Sequence, residues 1–280
     1  MLFRSKTIFW VGGRDDAVRP TGPFDPQLPV LAFVKKSNAR PAAILFNHST
    51  HTIGVRTPGK RSPSFYGLAA QELEDQHGGV CLFLEGASGS THNLTVSCDE
   101  MTTRIKNSVN RSLQASSIMP VQRLASIKRE VPVRRRLFDE LEEDEKVRSY
   151  CTKRMPDPKG AAYTIDVFRA MRRQLAPLQG KTRNTYVQTM LIGDVAIVGV
   201  PGEFFTRLGM EIKRKSPYRY TYVAELANDW VGYIPDEEAY GLGGYQVWTG
   251  LHSYVAKGTG EQIVDEAVRQ LQELADSDRK

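Results

Sequence analysis

The chain has 280 residues, enough to bury a sizeable core in one large domain or two small ones. Its composition, 40% hydrophobic and 25% charged, is that of an ordinary globular protein, and no apolar run approaches the length of a bilayer span. The net charge of +6 comes from 38 basic and 32 acidic residues, with no accompanying nucleic-acid motif, so no nucleic-acid partner is expected.

The opening MLFRSKTIFWVGG lacks the long apolar region and small-residue cleavage site of a signal peptide, which leaves location open. Residues 1–29 read as irregular structure with one short strand. VLAFVKK (30–36) and AAILFNH (42–48) read as strands, the second with the continuous apolar run of a strand buried on both faces. A polar loop (51–64) leads to a helix over 65–79, ended by Gly78, and to a buried strand VCLFLEG (80–86) holding Cys81. Three cysteines at irregular spacing form neither a disulfide framework nor a metal knuckle.

Strand, loop, helix, strand is the pattern of an α/β unit, whose ligands gather at the carboxyl ends of strands. Helices are expected over 99–117, 134–154 and 160–178. Within that stretch Lys128, Arg129, Arg134, Arg135 and Arg136 precede the acidic run from Asp139 to Glu145, a juxtaposition that reads as a solvated helical face. Residues 185–203 read as a hairpin turning at Gly193-Asp194. A helix (204–215), a strand (220–227), a Gly/Tyr-rich loop (228–250) and a final helix (258–275) complete the chain. The expectation is a single α/β domain over 1–280, a mixed β-sheet core with flanking helices.

Four places present residues with chemistry. His48 and His51 form H-x-x-H at a strand end. Residues three apart on an extended chain face opposite sides, so His48 is the ligand candidate and His51 falls in the loop. The alternative is a pair of hydrogen-bonded polar residues closing the strand. Glu203 follows an apolar strand and a Pro-Gly turn, placed either to face a site or to stabilise a helix N-terminus. GASGSTHN (86–93) offers Ser88, Ser90, Thr91 and His92 in a turn whose amides can face an anion. NDWVGYIPDEEAYGLGGY (228–245) presents Trp230, Tyr233, Tyr240 and Tyr245 among glycines, as phenols for a metal or an oxyanion or as packing over a sheet edge. Asn93-Leu94-Thr95 also matches a glycosylation acceptor.

VLAFVKKSNARPAAILFNHSTH with VCLFLEGASG, and VGVPGEFFTRLGMEIKRKSP with NDWVGYIPDEEAYGLGGY, together resemble the neutral/alkaline non-lysosomal ceramidase family. The resemblance covers most of the chain and implies a ceramidase catalytic-domain-like fold. It also implies zinc-dependent hydrolysis of the N-acyl amide of ceramide-like lipids, and relatives that are often secreted. It carries the metal roles to His48, Glu203 and Tyr240, and places Tyr245, Ser90 and His92 at the reacting centre. Three departures accompany it. The family's other zinc histidine stands in a His-x-His motif upstream of the segment resembling VRPTGPFDP, and no histidine precedes that segment here. The nucleophile turn has lost its aspartate, with His92 in the family serine's position, and Ser64 stands where an aspartate is expected. The carboxyl-terminal immunoglobulin-like module of longer members has no counterpart. The expectation is therefore a part of a longer hydrolase or a divergent member, with loss of catalysis as the alternative.

Overall fold

The computed structural model describes residues 3–4, 19–38, 40–93 and 96–277. Most of the amino-terminal segment and the Leu94-Thr95 portion of the glycosylation match lie outside the described residues. A short antiparallel pair, β1 (Phe3–Arg4) with β2 (Arg19–Pro20), comes first.

Two larger sheets carry the fold. In the first, β3 (Val30–Val34) runs antiparallel to β4 (Pro41–His48). Helix α1 (Ser64–His77) then crosses over to β5 (Val80–Glu85), which lies parallel to β4. Helix α2 (Cys98–Gln114) begins at Ser97, whose side chain accepts from the Glu100 amide, and it packs on α1. Ile44 and Phe46 of β4 meet Phe65, Leu73, Met101 and Ile105 of these helices in one buried cluster.

The second sheet begins with β6 (Leu124–Arg134). The helices α3 (Glu140–Arg154) and α4 (Pro158–Leu175) follow, capped by Asp139 and Asp157. Strands β7 (Thr182–Ile192) and β8 (Val195–Gly199) form the expected hairpin around Gly193, whose φ of 56° suits glycine. The two-residue strand β9 (Glu203–Phe204) leads into α5 (Thr206–Lys215), and β10 (Tyr220–Ala224) returns parallel to β8. The order is β10-β8-β7-β6. Strand β11 (Tyr233–Ile234), α6 (Glu237–Leu242) and α7 (Thr259–Ser277) close the chain.

The sheets stack face to face. Leu31, Leu45 and Leu84 of the first pack against Val195, Ile197, Tyr222 and Ala224 of the second. The far side of the second sheet, with Val133, Val187 and Val198, is covered by Leu208 and Ile212 of α5 and Ile263 and Leu271 of α7. The result is four layers, helix–sheet–sheet–helix, a mixed α/β architecture with helices flanking mixed sheets. A sheet face is stable only when covered, and here each sheet covers one face of the other. Among the described residues no helix is long and apolar enough to cross a membrane.

One expectation fails. The basic run lies not on a helix but on β6 and the bend after it, and α3 starts only at Glu140. Ile127, Val131 and Val133 alternate with Lys128, Glu130 and Arg134, which is the period of a strand with one buried face. Lys128 sits on that strand's open face, over the Tyr186 ring at 4.4 Å, while Arg129 falls on the opposite face and pairs with Glu273 of α7. Arg136, by contrast, turns inward and donates to Val247 O at 2.6 Å. The single sheet expected from the pattern is also two, because non-local pairing carries no short-range sequence signal.

Replacing Phe46, which is 0% exposed, by alanine is expected to cost about 3–5 kcal/mol in urea unfolding. Leu82→Ala on the same sheet, at a residue 51% exposed, should stay within about 0.5 kcal/mol of the parent.

Candidate functional site

Three apolar runs each lead to a glutamate: Glu85 at the end of β5, Glu203 at the start of β9, and Glu225 directly after β10. The folding of the two sheets brings these ends together. The turn leaving β5 must be small because it is wedged between strands. A Cβ on Gly89 would meet the Glu203 carbonyl oxygen at 2.4 Å, and one on Gly86 would meet Ser49 Oγ at 2.4 Å. With glycine there, Gly89 N donates to Phe204 O at 2.9 Å.

Glu225 is buried and closes the arrangement. Its carboxylate accepts from Ser88 N at 3.0 Å, Phe204 N at 2.8 Å and Ser88 Oγ at 2.5 Å, while its own amide donates to Glu85 O at 3.0 Å. Burial pushes the Glu225 carboxyl well above the usual glutamate range, and Glu85 adds to the effect. Glu85 and Glu203 are raised by burial as well. Ser88 Oγ also donates to Glu85 Oε1 at 3.2 Å, so this hydroxyl is shared between two carboxylates and is 0% exposed.

His51 lies over this floor. Its Nδ1 is 2.8 Å from Ser88 O. A carbonyl only accepts, so Nδ1 carries the proton and Nε2 presents its lone pair. Nε2 is 3.0 Å from Tyr233 OH and 3.4 Å from Glu203 Oε2. The parallel pairing of β9 with β11 sets Tyr233 beside Glu203 in register. Tyr245 stands edge-on to Tyr233 at 5.8 Å between ring centroids and stacks on His252 at 4.6 Å. Burial, with Glu203 nearby, raises both phenols above their ordinary pKa. The His51 and Glu203 side chains remain 21% and 23% exposed, so the cluster is reachable from solvent.

The structure brings Glu203 and Tyr245 of the sequence candidates to this cluster, and sets others apart from it. His48 continues the Ile44–Phe46 face of β4 towards α1, where its Nδ1 lies 2.6 Å from Tyr66 OH. Burial lowers its pKa to about 4. Tyr240, on α6, donates its hydroxyl to Val255 O at 3.0 Å beneath the Arg136 guanidinium, 5.0 Å from the ring centre. Ser90 Oγ accepts from Thr206 N at 3.0 Å and donates to Thr206 Oγ1 at 3.1 Å. It thus serves the first turn of α5, whose own N-cap, Phe205, has no side-chain acceptor. His92 is half-buried at the far end of the same turn. The residues that the spacing did not single out are His51, displaced from His48's face by leaving the strand, and Glu225, whose signal was the apolar run YVA before it.

Among the described residues no group of three or more His, Cys, Asp or Glu is placed to hold a metal ion. His51 and Glu203 supply two such donors and Tyr233 OH a third oxygen. Adjacent donors of a tetrahedral zinc, each about 2.0–2.1 Å from the metal, lie about 3.3 Å apart. The separations of 3.4 and 3.0 Å at His51 Nε2 fit that spacing. The Nδ1–Ser88 carbonyl bond is also the outer contact that commonly orients a ligating imidazole. A cavity of about 640 Å³ lies elsewhere, around Tyr240, and does not include His51, Glu203 or Tyr233.

No family model matches the chain, and no curated protein matches its sequence. Its fold is similar to that of neutral ceramidase from Pseudomonas aeruginosa, with TM-score 0.63 and 18% identity, over 95% of this chain and 48% of that one. A structure of a ceramidase complexed with C2 is similar over 91% of this chain and 48% of its own, with TM-score 0.62 and 17% identity. The chain thus spans about half the length of these proteins, and the likeness establishes a ceramidase-like fold.

His48 and His252 are both held near a pKa of about 4, below the ordinary histidine value of 6.5. A group whose pKa is lower in the folded state contributes stability that is complete above pH 6.5 and lost as pH falls towards 4. Urea midpoints measured from pH 7 to 4.5 should therefore fall less steeply for His48→Asn than for the parent. Parallel slopes would contradict the assignment of His48 as a buried neutral imidazole.

Proposed function

We propose that the chain is a ceramidase-like hydrolase acting on the N-acyl amide of ceramide-like lipids, with His51, Glu203 and Tyr233 at its reaction centre. The observation that carries this reading is the convergence of Tyr233 OH and Glu203 Oε2 on His51 Nε2, at the carboxyl ends of strands where such folds gather ligands. The similarity of the whole fold to neutral ceramidases supports it. In this reading Glu203 and Tyr245 keep the places the sequence suggested, while His51 and Tyr233 take those of His48 and Tyr240.

The cofactor this function calls for is zinc, and His51, Glu203 and Tyr233 are the residues that would hold it. When bound, zinc polarises an amide carbonyl and makes water acidic enough to attack at neutral pH. The chain's own groups do the rest. The Ser88 carbonyl keeps the His51 proton on Nδ1 and its lone pair on Nε2. Glu203 presents Oε2 3.4 Å from His51 Nε2, so that the two donors face a common point. Tyr245 keeps its phenolic proton at neutral pH and can donate it to a developing oxyanion. Glu225 and Ser88 position these groups from beneath.

A second reading, a ceramidase-like binding protein without turnover, draws on the donor count of one histidine and one carboxylate. Hydrolysis of a short-chain N-acylsphingosine by metal-loaded protein separates the two. Glu203→Gln and His51→Ala are expected to lower kcat/KM by at least about 100-fold, beyond the roughly 10–100-fold typical of losing an outer contact to a metal site. His48→Asn should remain within a few-fold of the parent. Folded, zinc-loaded protein that binds the lipid but releases no fatty acid would establish the second reading, and full activity in His51→Ala would remove this site.

A further inference from the structure

The 640 Å³ cavity lies between the end of β6, helix α3, helix α6 and the segments carrying Trp248 and Lys257. Five basic side chains line it: Arg134, Arg135, Arg136, Lys146 and Lys257, against one acid, Glu143. The acid is already engaged, since Glu143 Oε1 pairs with Lys146 at 2.6 Å and its Oε2 accepts from Thr249 N at 2.8 Å. The guanidinium groups bond to neutral oxygens only. Arg134 donates to Gly180 O at 3.1 Å, Arg135 to Lys181 O at 3.4 Å, and Arg136 to Val247 O, Val255 O and Ser253 Oγ. Among the described residues, none of these three arginines nor Lys257 has a carboxylate partner.

We propose that this cavity is a binding site for a phosphate monoester, its phosphate held by Arg134, Arg135 and Lys257 and its organic part lying against Trp248 and Leu242. The excess of positive charge suits a dianion better than a single carboxylate, and guanidinium forks match phosphate oxygens in pairs. The volume falls within the about 300–1,000 Å³ typical of small-molecule sites. The amide-hydrolysis reading does not bear on this site, because none of its residues belongs to the His51 cluster.

Calorimetric titration at constant ionic strength, with inorganic phosphate and with octyl phosphate below its micelle concentration, tests the proposal on the full chain. Saturable binding of at least one is expected. Tighter binding of octyl phosphate than of inorganic phosphate is expected from the apolar lining, and equal affinities would overturn the placement of an organic part against Trp248 and Leu242. Lys257→Glu, at an exposed residue, should weaken binding by about tenfold or more, the loss of one charge-assisted contact. Lys257→Arg should preserve it, and Lys128→Glu, outside the cavity, should leave it unchanged. Absence of saturable binding by either probe, or equal weakening by Lys128→Glu and Lys257→Glu, would overturn the site.

Discussion

The carboxylate of Glu225 is the constraint on which the rest of the site depends. It stands where three strand ends converge and is the acceptor for two backbone amides and one hydroxyl. Without it, Ser88 N and Phe204 N would be buried donors lacking this acceptor, and the turn after β5 would lose its tie to β9. Because the Ser88 carbonyl in turn orients His51, and Phe204 is the neighbour of Glu203, a residue that faces no solvent sets the positions of the two that do.

Electrostatics follow from the same crowding. Glu85, Glu203 and Glu225 are drawn together in a region of low dielectric, where Glu203 raises the proton affinity of Glu85 and both raise that of Glu225. Burial is the largest contribution at each, and the hydrogen bonds from Ser88 offset only part of it. The cluster therefore favours a proton or a cation at its open edge, where Glu203 and His51 meet. That preference is independent of which reaction the chain performs. At the cavity around Tyr240 the balance is reversed, with arginines that lack a carboxylate partner among the described residues.

Much of this architecture was readable from local pattern. The apolar runs of β4, β5, β8 and β10 are marked as buried strands, and Gly193-Asp194 places a hairpin. Strand β6 carries no such mark, because Lys128, Glu130 and Arg134 interrupt the apolar pattern that Ile127, Val131 and Val133 would otherwise show. At the site, Glu203 was recognisable from the Pro-Gly turn before it, and Tyr245 from its glycine-rich segment. The choice of His51 over His48 was not, because strand periodicity assigns faces only while the chain remains a strand. His51 lies three residues past the end of β4, where its amide bonds to Thr91 O and the ring swings beneath a different loop. The family resemblance carries the phenol ligand to Tyr240, whereas the pairing of β11 with β9 sets Tyr233 beside Glu203.

The tie between Ser88 and Glu225 joins residues 137 apart in the chain, and that between His51 and Tyr233 spans 182. Contacts of such separation repay their loop-closure entropy only late, once both sheets have docked. During synthesis the first sheet emerges with its turn and His51 but without the carboxylate that fixes them. A chain ended before Glu225 therefore holds the first sheet and His51 without the carboxylate that ties Ser88 in place.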